Sequence, residues 1–330
     1  MELKSKKKRI LEYMLTFLVI LTLNFFLPRM MPGDPFLHLS GAAGEEVWAF
    51  TAEQREYFTE YYGLDRPLSE QYIEYLGGIF QGDLGFSYYY REDVSSIIMR
   101  RIPWTLFMVV GAVSLSLLIG IFMGIFSAWH RESWRDKFLY LFMVIFSEIP
   151  AFLLGILMLI FFAAGLGFFP LSGAMSHFAG YTGWDHFKDI LHHAALPVIT
   201  LSLARAGGIY MLVRNTCTTV LGKDYIRTAR AKGLAEKRVR YRHVLKNVLL
   251  PLITRVALQI GALVGGAVLV ENVFAYPGLG LLMREAVFVR DYPLLQGIFL
   301  VLAFGVLGAN LLADLLYRFL DPRIKADDIE

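Results

Sequence analysis

Charge and cysteine are both scarce in this sequence. Only 18% of the 330 residues are charged, and cysteine occurs once, at Cys217. A single cysteine excludes an intrachain disulfide, and its sequence neighbours offer no metal ligands. In place of charge the chain has 56% hydrophobic residues and a mean hydropathy of +0.51. A soluble globule needs more polar surface than this, so the composition predicts a polytopic membrane protein.

Motifs of three common enzyme classes are missing as well. The sequence has no Gly-x-x-x-x-Gly-Lys-Ser/Thr phosphate loop, no His-Glu-x-x-His and no Gly-x-Ser-x-Gly. The usual ATP site, the helical zinc site and the serine nucleophile elbow are therefore excluded. An intramembrane enzyme acting on lipid or another membrane substrate through Glu148 stays open as an alternative, although no second acid, base or metal ligand is evident at the same depth.

Apolar runs of helical length predict an all-α protein with six transmembrane helices, since a bilayer requires about 20 residues. The first run follows a basic N-terminus without a small-residue cleavage site, and we interpret it as an uncleaved helix. Pro150 is expected to kink the third helix. The predicted helices are residues 13–28, 104–129, 138–169, 196–213, 251–271 and 294–317.

Residues 32–103, between the first two helices, have a different composition. This stretch is rich in acidic residues and tyrosines and is interrupted by glycines and prolines. Short helices are expected over Ala52–Tyr62 and Leu68–Phe80, with turns at Gly63 and Gly82. The chain therefore divides into residues 1–31 with the first helix, a water-facing subdomain over 32–103, and a membrane core over 104–330.

Lysine and arginine are distributed unevenly between the two sides of this topology. The segments on the N-terminal side carry 21 of these residues and the opposite segments carry 9. Because basic loops near transmembrane ends stay in the cytoplasm, both termini are predicted to be cytoplasmic and the acidic subdomain extracytoplasmic.

The most basic segment is the predicted cytoplasmic loop 214–250. A short helix is expected from Asp224 to Lys232, ended by Gly233 in a left-handed conformation. A second helix is expected from Ala235, and its apolar stripe would consist of Tyr241, Val244, Leu245, Val248 and Leu252. Charge alone favours a solvated surface that faces lipid headgroups. A nucleic-acid patch is disfavoured because Tyr241 is the only interleaved aromatic residue.

The order of residues in this loop resembles the cytoplasmic "EAA loop" of bacterial ABC-importer membrane subunits. Arg227-Thr228-Ala229, three further residues, Gly233 and the later Leu250-Pro251 follow that pattern. Arginine in place of the motif's glutamate, and the distant proline, are similar to the dipeptide, oligopeptide and nickel branch. Other stretches that look like this branch are Pro32–Pro35, Gly82–Gly85, Glu271–Phe274, Pro277–Gly280, Arg290–Pro293 and Asp321–Arg323.

The resemblance implies a permease subunit with the type I importer fold, in a bacterial or archaeal cell membrane. It implies a homologous second permease, two cytoplasmic ATPase subunits and an extracytoplasmic solute-binding protein as partners. The chain itself would need no cofactor, because the ATPase subunits bind ATP. The solute stays open among peptides, nickel and oligosaccharides. The residues implied to couple to the ATPase are Asp224, Tyr225, Arg227, Ala229, Arg230, Lys232 and Gly233.

Polar residues within the apolar runs are a second group of candidates. Glu148, next to Pro150, and Asn310 are candidates for the lining of a translocation path, because charged and polar groups in a membrane usually face protein or water. Arg205, Arg255 and Asp314 lie near helix ends, where snorkelling or interhelical pairing is at least as good an explanation. The histidines at 177, 186, 192 and 193 are expected to make interfacial contacts, and no metal site is predicted.

Overall fold

The computed structural model describes residues 2–30, 52–61, 63–176, 178–245, 247–248, 251–252 and 266–320. Within these ranges the chain is helical, apart from turns and one antiparallel bridge between Phe86 and Asp93. It divides into two compact units. Among the described residues, the first contains the chain up to Pro103 together with Gly278–Gly305, and the second contains Trp104–Pro277 and the residues from Val306 onward.

The helices of the first unit begin with α1, Glu2–Arg29. They continue with α2, Ala52–Tyr61, and α3, Leu68–Gln81. Gly82 ends α3 with φ +80°, as its turn position predicted. A helix that the sequence analysis did not predict, α10, covers Leu279–Val289. Gly278 precedes it with an extended backbone.

The core of the first unit is made by helices that are distant in the sequence. Ile98, near the start of helix α4 (Val94–Trp129), packs with Leu282 of α10 and Leu295. Asp291 organises this junction: its carboxylate accepts hydrogen bonds from Ser87 Oγ at 2.5 Å and from the Tyr89 amide at 3.1 Å. Burial raises the pKa of the Asp291 carboxyl, and these hydrogen bonds oppose that rise.

A cavity of 590 Å³ lies within the first unit, between α3 and the residues around Gln296. Asn24 of α1 donates to Tyr75 Oη at 3.0 Å and to the Gln296 carbonyl at 2.8 Å, which fixes α1 against this region. Burial raises the pKa of Tyr75 to about 12. Helix α3 is therefore packed against the end of α1.

The long helices continue into or belong to the second unit. Helix α4 covers Val94–Trp129, ten residues longer at its start than predicted, and α7 covers Gly183–Leu221. Helix α11 covers Tyr292–Leu320. In the described chain α4, α7 and Tyr292–Ala309 are long and apolar enough to cross a membrane. At 1.5 Å per residue the 39 residues of α7 exceed the bilayer core, so this helix extends beyond it.

The predicted third helix is broken rather than kinked. Helix α5 covers Trp134–Glu148 and α6 covers Ala151–Met158, continued by a π-helical turn over Leu159–Gly165, and the two halves are bent by 104°. Ile149 and Pro150 have extended backbones, with ψ of 124° and 135°. Because proline disfavours the helical conformation of the residue before it, two consecutive residues leave the helix. The pair forms either one broken span or a re-entrant loop.

The count of six spans stays a prediction. Three helices qualify as spans and a fourth does so if the bent pair is one span, while the apolar part of α1, Leu15–Arg29, is shorter. The predicted fifth helix, 251–271, falls mostly on residues 253–265, which lie outside the described residues; 266–273 are helical.

Close packing between α5 and α7 depends on Gly207. A Cβ added at this position would overlap the Met143 carbonyl oxygen and the Ser147 side chain of α5. Only glycine allows the two backbones this close approach. The second unit is therefore built around α7, which contacts both α5 and α6.

Candidate functional site: the basic loop after α7

The loop after α7 contains the short helix that the sequence predicts. Helix α8 covers Asp224–Ala231, one residue shorter than expected. Lys223 precedes it with an extended backbone, and the Lys223 carbonyl accepts the Ile226 amide at 3.0 Å. Asp224 in the first turn complements the positive end of the helix dipole. Gly233 follows the helix with φ +75°, so the left-handed conformation predicted at this glycine is confirmed.

Helix α8 has one buried and one exposed side. Ile226 is fully buried and Ala229 is 6% exposed, whereas Asp224, Tyr225 and Arg227 are exposed. Ala229 was expected on the side that meets a partner, and this placement is wrong because its side chain faces the interior of the chain. The outward surface of α8 consists of Asp224, Tyr225, Arg227, Thr228, Ala231 and Lys232.

Ile226 anchors α8 to the ends of two membrane helices. It belongs to one apolar cluster with Ile125 and Ala128 at the end of α4 and with Val213 and Val220 of α7. Burial of an isoleucine side chain stabilises such a contact by about 1.5–3 kcal/mol. Packed apolar side chains therefore connect α8 with the ends of α4 and α7.

The segment after Gly233 closes back on α8 through charged groups. It consists of α9, Glu236–Arg238, and a π-helical turn over Val239–Val244. Arg230 of α8 donates to both carboxylate oxygens of Glu236, at 2.8 and 3.3 Å. The guanidinium groups of Arg230 and Arg240 lie 6.0 and 4.4 Å from the ring centre of Trp129. Arg230 thus serves contacts within this chain.

The π-helical turn changes the side that each residue faces. Val239, Val244, Val248 and Leu252 are buried, whereas Tyr241 is 46% exposed. The predicted stripe placed Tyr241 in the core, and that placement is wrong because a π turn bonds i to i+5 and shifts the register of an α-helical pattern. Arg238 and Arg242, four positions apart on the same segment, are both exposed.

Replacement of Gly233 tests the turn between α8 and α9. An added Cβ meets no atom within 4 Å, so the cost of Gly233→Val is confined to the backbone, about 1–2 kcal/mol for a residue forced to positive φ. We expect transport by cells carrying Gly233→Val to fall while the amount of protein in the membrane stays normal. Gly233→Asn is the matched control, because asparagine tolerates this conformation, and equal transport by the two variants would contradict the prediction.

Below the loop, three helices meet at a buried ion pair that the sequence analysis did not find. The Arg214 guanidinium of α7 donates to the two carboxylate oxygens of Asp136 in α5 at 2.8 and 2.7 Å. Ser127 of α4 donates to Asp136 and shares a 2.6 Å hydrogen bond with Tyr210 Oη. Asp136 is 3% exposed. The network links α4, α5 and α7. The sequence contains little signal for it, because Asp136 lies between Arg135 and Lys137 in a charged stretch and Arg214 follows an apolar run.

Of the two candidates for a translocation path, the structure describes the side chain of Glu148 only. Glu148 is the last residue of α5, at the break before Pro150, and its side chain is exposed rather than in the middle of a helix. The side chain of Asn310 lies outside the part that the structure describes. Arg205 of α7 is half-buried, with its guanidinium beside Gly266. Arg255 and the side chain of Asp314 lie outside the described residues.

The histidines make local contacts. His192 Nε2 lies 2.8 Å from the Phe168 carbonyl oxygen, and His193 Nδ1 lies 3.4 Å from Asp189 Oδ1. His177 lies outside the described residues. Within the described ranges no three His, Cys, Asp or Glu side chains are grouped as metal ligands.

Two models of one protein family match this chain. "Binding-protein-dependent transport system inner membrane component" matches residues 116–326, and the N-terminal model of the same family matches residues 3–109. A putative peptide permease protein of Brucella ovis is 38% identical over 309 residues, which cover 93% of this chain and 94% of the relative. The oligopeptide transport system permease protein AppB of Bacillus subtilis is 37% identical, with the same coverage of both chains.

A further relative and a solved structure agree with this match. The glutathione transport system permease protein GsiC of Salmonella paratyphi A is 35% identical and covers 96% of this chain and 97% of the relative. A chain of the inward-facing MetNI methionine ABC transporter has a TM-score of 0.56 at 18% identity, covering 69% of this chain and 97% of that one. The similarity to the MetNI chain, at this low sequence identity, shows a common fold only. None of these relatives supports the alternative of an intramembrane enzyme.

Proposed function

This chain belongs to the family of binding-protein-dependent transport system inner membrane components, and we propose that it forms half of an import pathway for short peptides. It is the membrane-spanning permease subunit of an ABC importer, and ATP is hydrolysed by a partner ATPase rather than by this chain. The names of the relatives, which include peptide, oligopeptide and glutathione permeases, support a peptide as the solute.

The observation that carries the coupling mechanism is the two-sided character of α8. Its outward surface presents Tyr225 and Arg227 for contact with an ATPase, and Ile226 on the opposite side is packed against the ends of α4 and α7. Closure of two ATPase subunits around ATP would displace α8, and the shared apolar cluster would carry this displacement into the membrane helices. We propose that Asp224–Gly233 is the coupling element. Its exposed side chains Asp224, Tyr225, Arg227 and Lys232 would contact the ATPase, and Arg230 would hold the segment that follows.

The complete importer would contain this chain, a homologous second permease, two ATPase subunits and an extracytoplasmic solute-binding protein. Neither permease alone encloses a path, so alternating access would move the solute between the two permeases. The water-facing subdomain made by α2 and α3 would then receive the binding protein. Its exposed tyrosines, such as Tyr57 and Tyr61, are residue types enriched at protein interfaces.

Uptake measurements test the solute. We expect cells that lack this chain to lose uptake of a radiolabelled tripeptide, and plasmid-borne chain to restore it. Glutathione and nickel uptake in the same strains are the comparisons. Loss of nickel uptake with normal uptake of peptides and glutathione would contradict the peptide proposal while leaving the permease function intact.

Thiol labelling tests the proposed orientation. Ser69 is exposed at the start of α3, and Lys237 is exposed in the basic loop. In a Cys217→Ser background, Ser69→Cys should react with an impermeant maleimide in intact cells, and Lys237→Cys should react only after lysis. The reverse pattern would place both termini outside the cytoplasm.

A further inference from the structure

An apolar groove of 540 Å³ lies on the surface of the second unit, where α4 ends and α5 begins. Its walls are aromatic rings of both helices, including Phe122, Phe126 and Phe138. Its edge is formed by Arg135 at the start of α5 and by Arg240 and Tyr241 of the π-helical turn. The shift in register at that turn is what directs Tyr241 here instead of into the core.

The residues that line the groove carry positive charge. Two arginines line it, and no aspartate or glutamate does. The Nε atom of Arg240 is buried and has no hydrogen-bond partner in the described part of the chain. Two arginines in a lining without a carboxylate favour an anionic ligand whose oxygens accept hydrogen bonds from the guanidinium groups.

The apolar walls of the groove indicate that the ligand also has an apolar part. Phe122 and Phe138 are each 59% exposed, which is expected for rings that face hydrocarbon. Trp134, 73% exposed, lies in the groove at the start of α5, and tryptophan and tyrosine concentrate at membrane interfaces. A ligand that places an anion at the interface and an alkyl chain along the rings fits both observations.

We propose that this groove binds an anionic phospholipid. The phosphate lies between Arg135 and Arg240, and an acyl chain follows Phe122, Phe126 and Phe138 toward the bilayer core. Because Arg240 also stacks on Trp129, beside α8, a lipid bound here would stabilise the segment that follows the coupling helix. Anionic lipid would therefore affect transport through a defined site as well as through the surface potential.

The test measures lipid preference in the intact transporter reconstituted in nanodiscs. Brominated phosphatidylglycerol should quench tryptophan fluorescence at concentrations roughly 10- to 30-fold lower than brominated phosphatidylcholine, as expected for two arginines that contact one headgroup. Arg135→Gln with Arg240→Gln should reduce this preference to about 3-fold or less, the weak attraction that the general surface potential supplies. Arg135→Lys with Arg240→Lys should keep most of it, which shows that charge rather than folding is measured.

A matched pair outside the groove, Arg66→Gln with Arg100→Gln, removes two exposed arginines from the first unit and should leave the preference unchanged. Equal preference in the wild type and in the Arg135→Gln, Arg240→Gln variant would overturn the proposal. A protein occupant is tested by Phe138→Cys in a Cys217→Ser background. Efficient crosslinking of that thiol to another transporter subunit would show that protein fills the groove, and this result also would overturn the proposal.

Discussion

Tyr225→Ala combined with Arg227→Ala will separate the ATPase subunits from this permease. Both side chains lie on the outward surface of α8, and the Arg227 side chain is 76% exposed with only a 3.8 Å contact to Asp224. Tyrosine and arginine are enriched among the hot spots of protein interfaces. Truncation of one hot-spot side chain weakens the binding free energy by about 2 kcal/mol or more. We therefore expect at least about a 30-fold loss of affinity, seen as weak copurification and loss of solute-stimulated ATP hydrolysis.

The control for this experiment is a chemically identical change at another exposed position. Tyr61→Ala with Arg66→Ala removes the same two side-chain types from the water-facing subdomain, and ATPase copurification should be normal. The membrane amount and the thermal stability of both double variants should equal those of the wild type, because neither changes a buried residue. Normal copurification of the α8 variant would remove the proposed coupling role from this surface.

Ala229→Glu is a weaker test of coupling. In the sequence Ala229 lies one turn before Gly233 and looks like a small residue suited to close approach by a partner. The structure shows that its smallness instead allows α8 to pack on its own chain, at 6% exposure. A glutamate there would bury a carboxylate within the permease and destabilise it, so a loss of coupling would not report on the interface.

What the sequence predicted correctly was mostly local. Helix α8 and the turn at Gly233 follow from a dipole-favourable Asp224, a run of helix-forming residues and a glycine, all within ten residues. The same holds for α3 and its end at Gly82. These features need no distant partner, and the order of residues was sufficient to define them.

The errors arose at local departures from the α-helix that an apolar pattern does not show, and at contacts between distant parts of the chain. The break at Pro150 goes beyond a kink because Ile149 also leaves the helix, and the position of Tyr241 depends on a π turn that no pattern of apolar residues shows. Arg230 looked free for a partner until Glu236 and Trp129 were placed beside it. Asp136 and Arg214 are 78 positions apart, so their pairing depends on how α5 and α7 pack.

Asp136→Leu should cause the largest loss of stability of any single substitution considered. The carboxylate is 3% exposed, it accepts two hydrogen bonds from Arg214, and it also accepts from Ser127 and from the Glu132 amide. Its removal leaves a guanidinium that is only 20% exposed without its counterion, a change that typically costs about 3–5 kcal/mol. In detergent the midpoint of thermal unfolding should fall by on the order of 5–10 °C.

The double variant Asp136→Leu with Arg214→Leu decides whether the loss comes from an uncompensated charge. Replacement of both partners by apolar residues of adequate size removes the buried charge, so the double variant should be more stable than Asp136→Leu alone. Arg66→Leu, which breaks the exposed pair with Glu74, should change stability by no more than about 0.5 kcal/mol. If Asp136→Leu unfolds at the wild-type temperature, the pair does not hold α5 to α7. Arg214 and Ser127 lie on the same two helix ends that share an apolar cluster with Ile226. An unchanged unfolding temperature would therefore also be evidence against rigid packing of α4 and α7 next to α8.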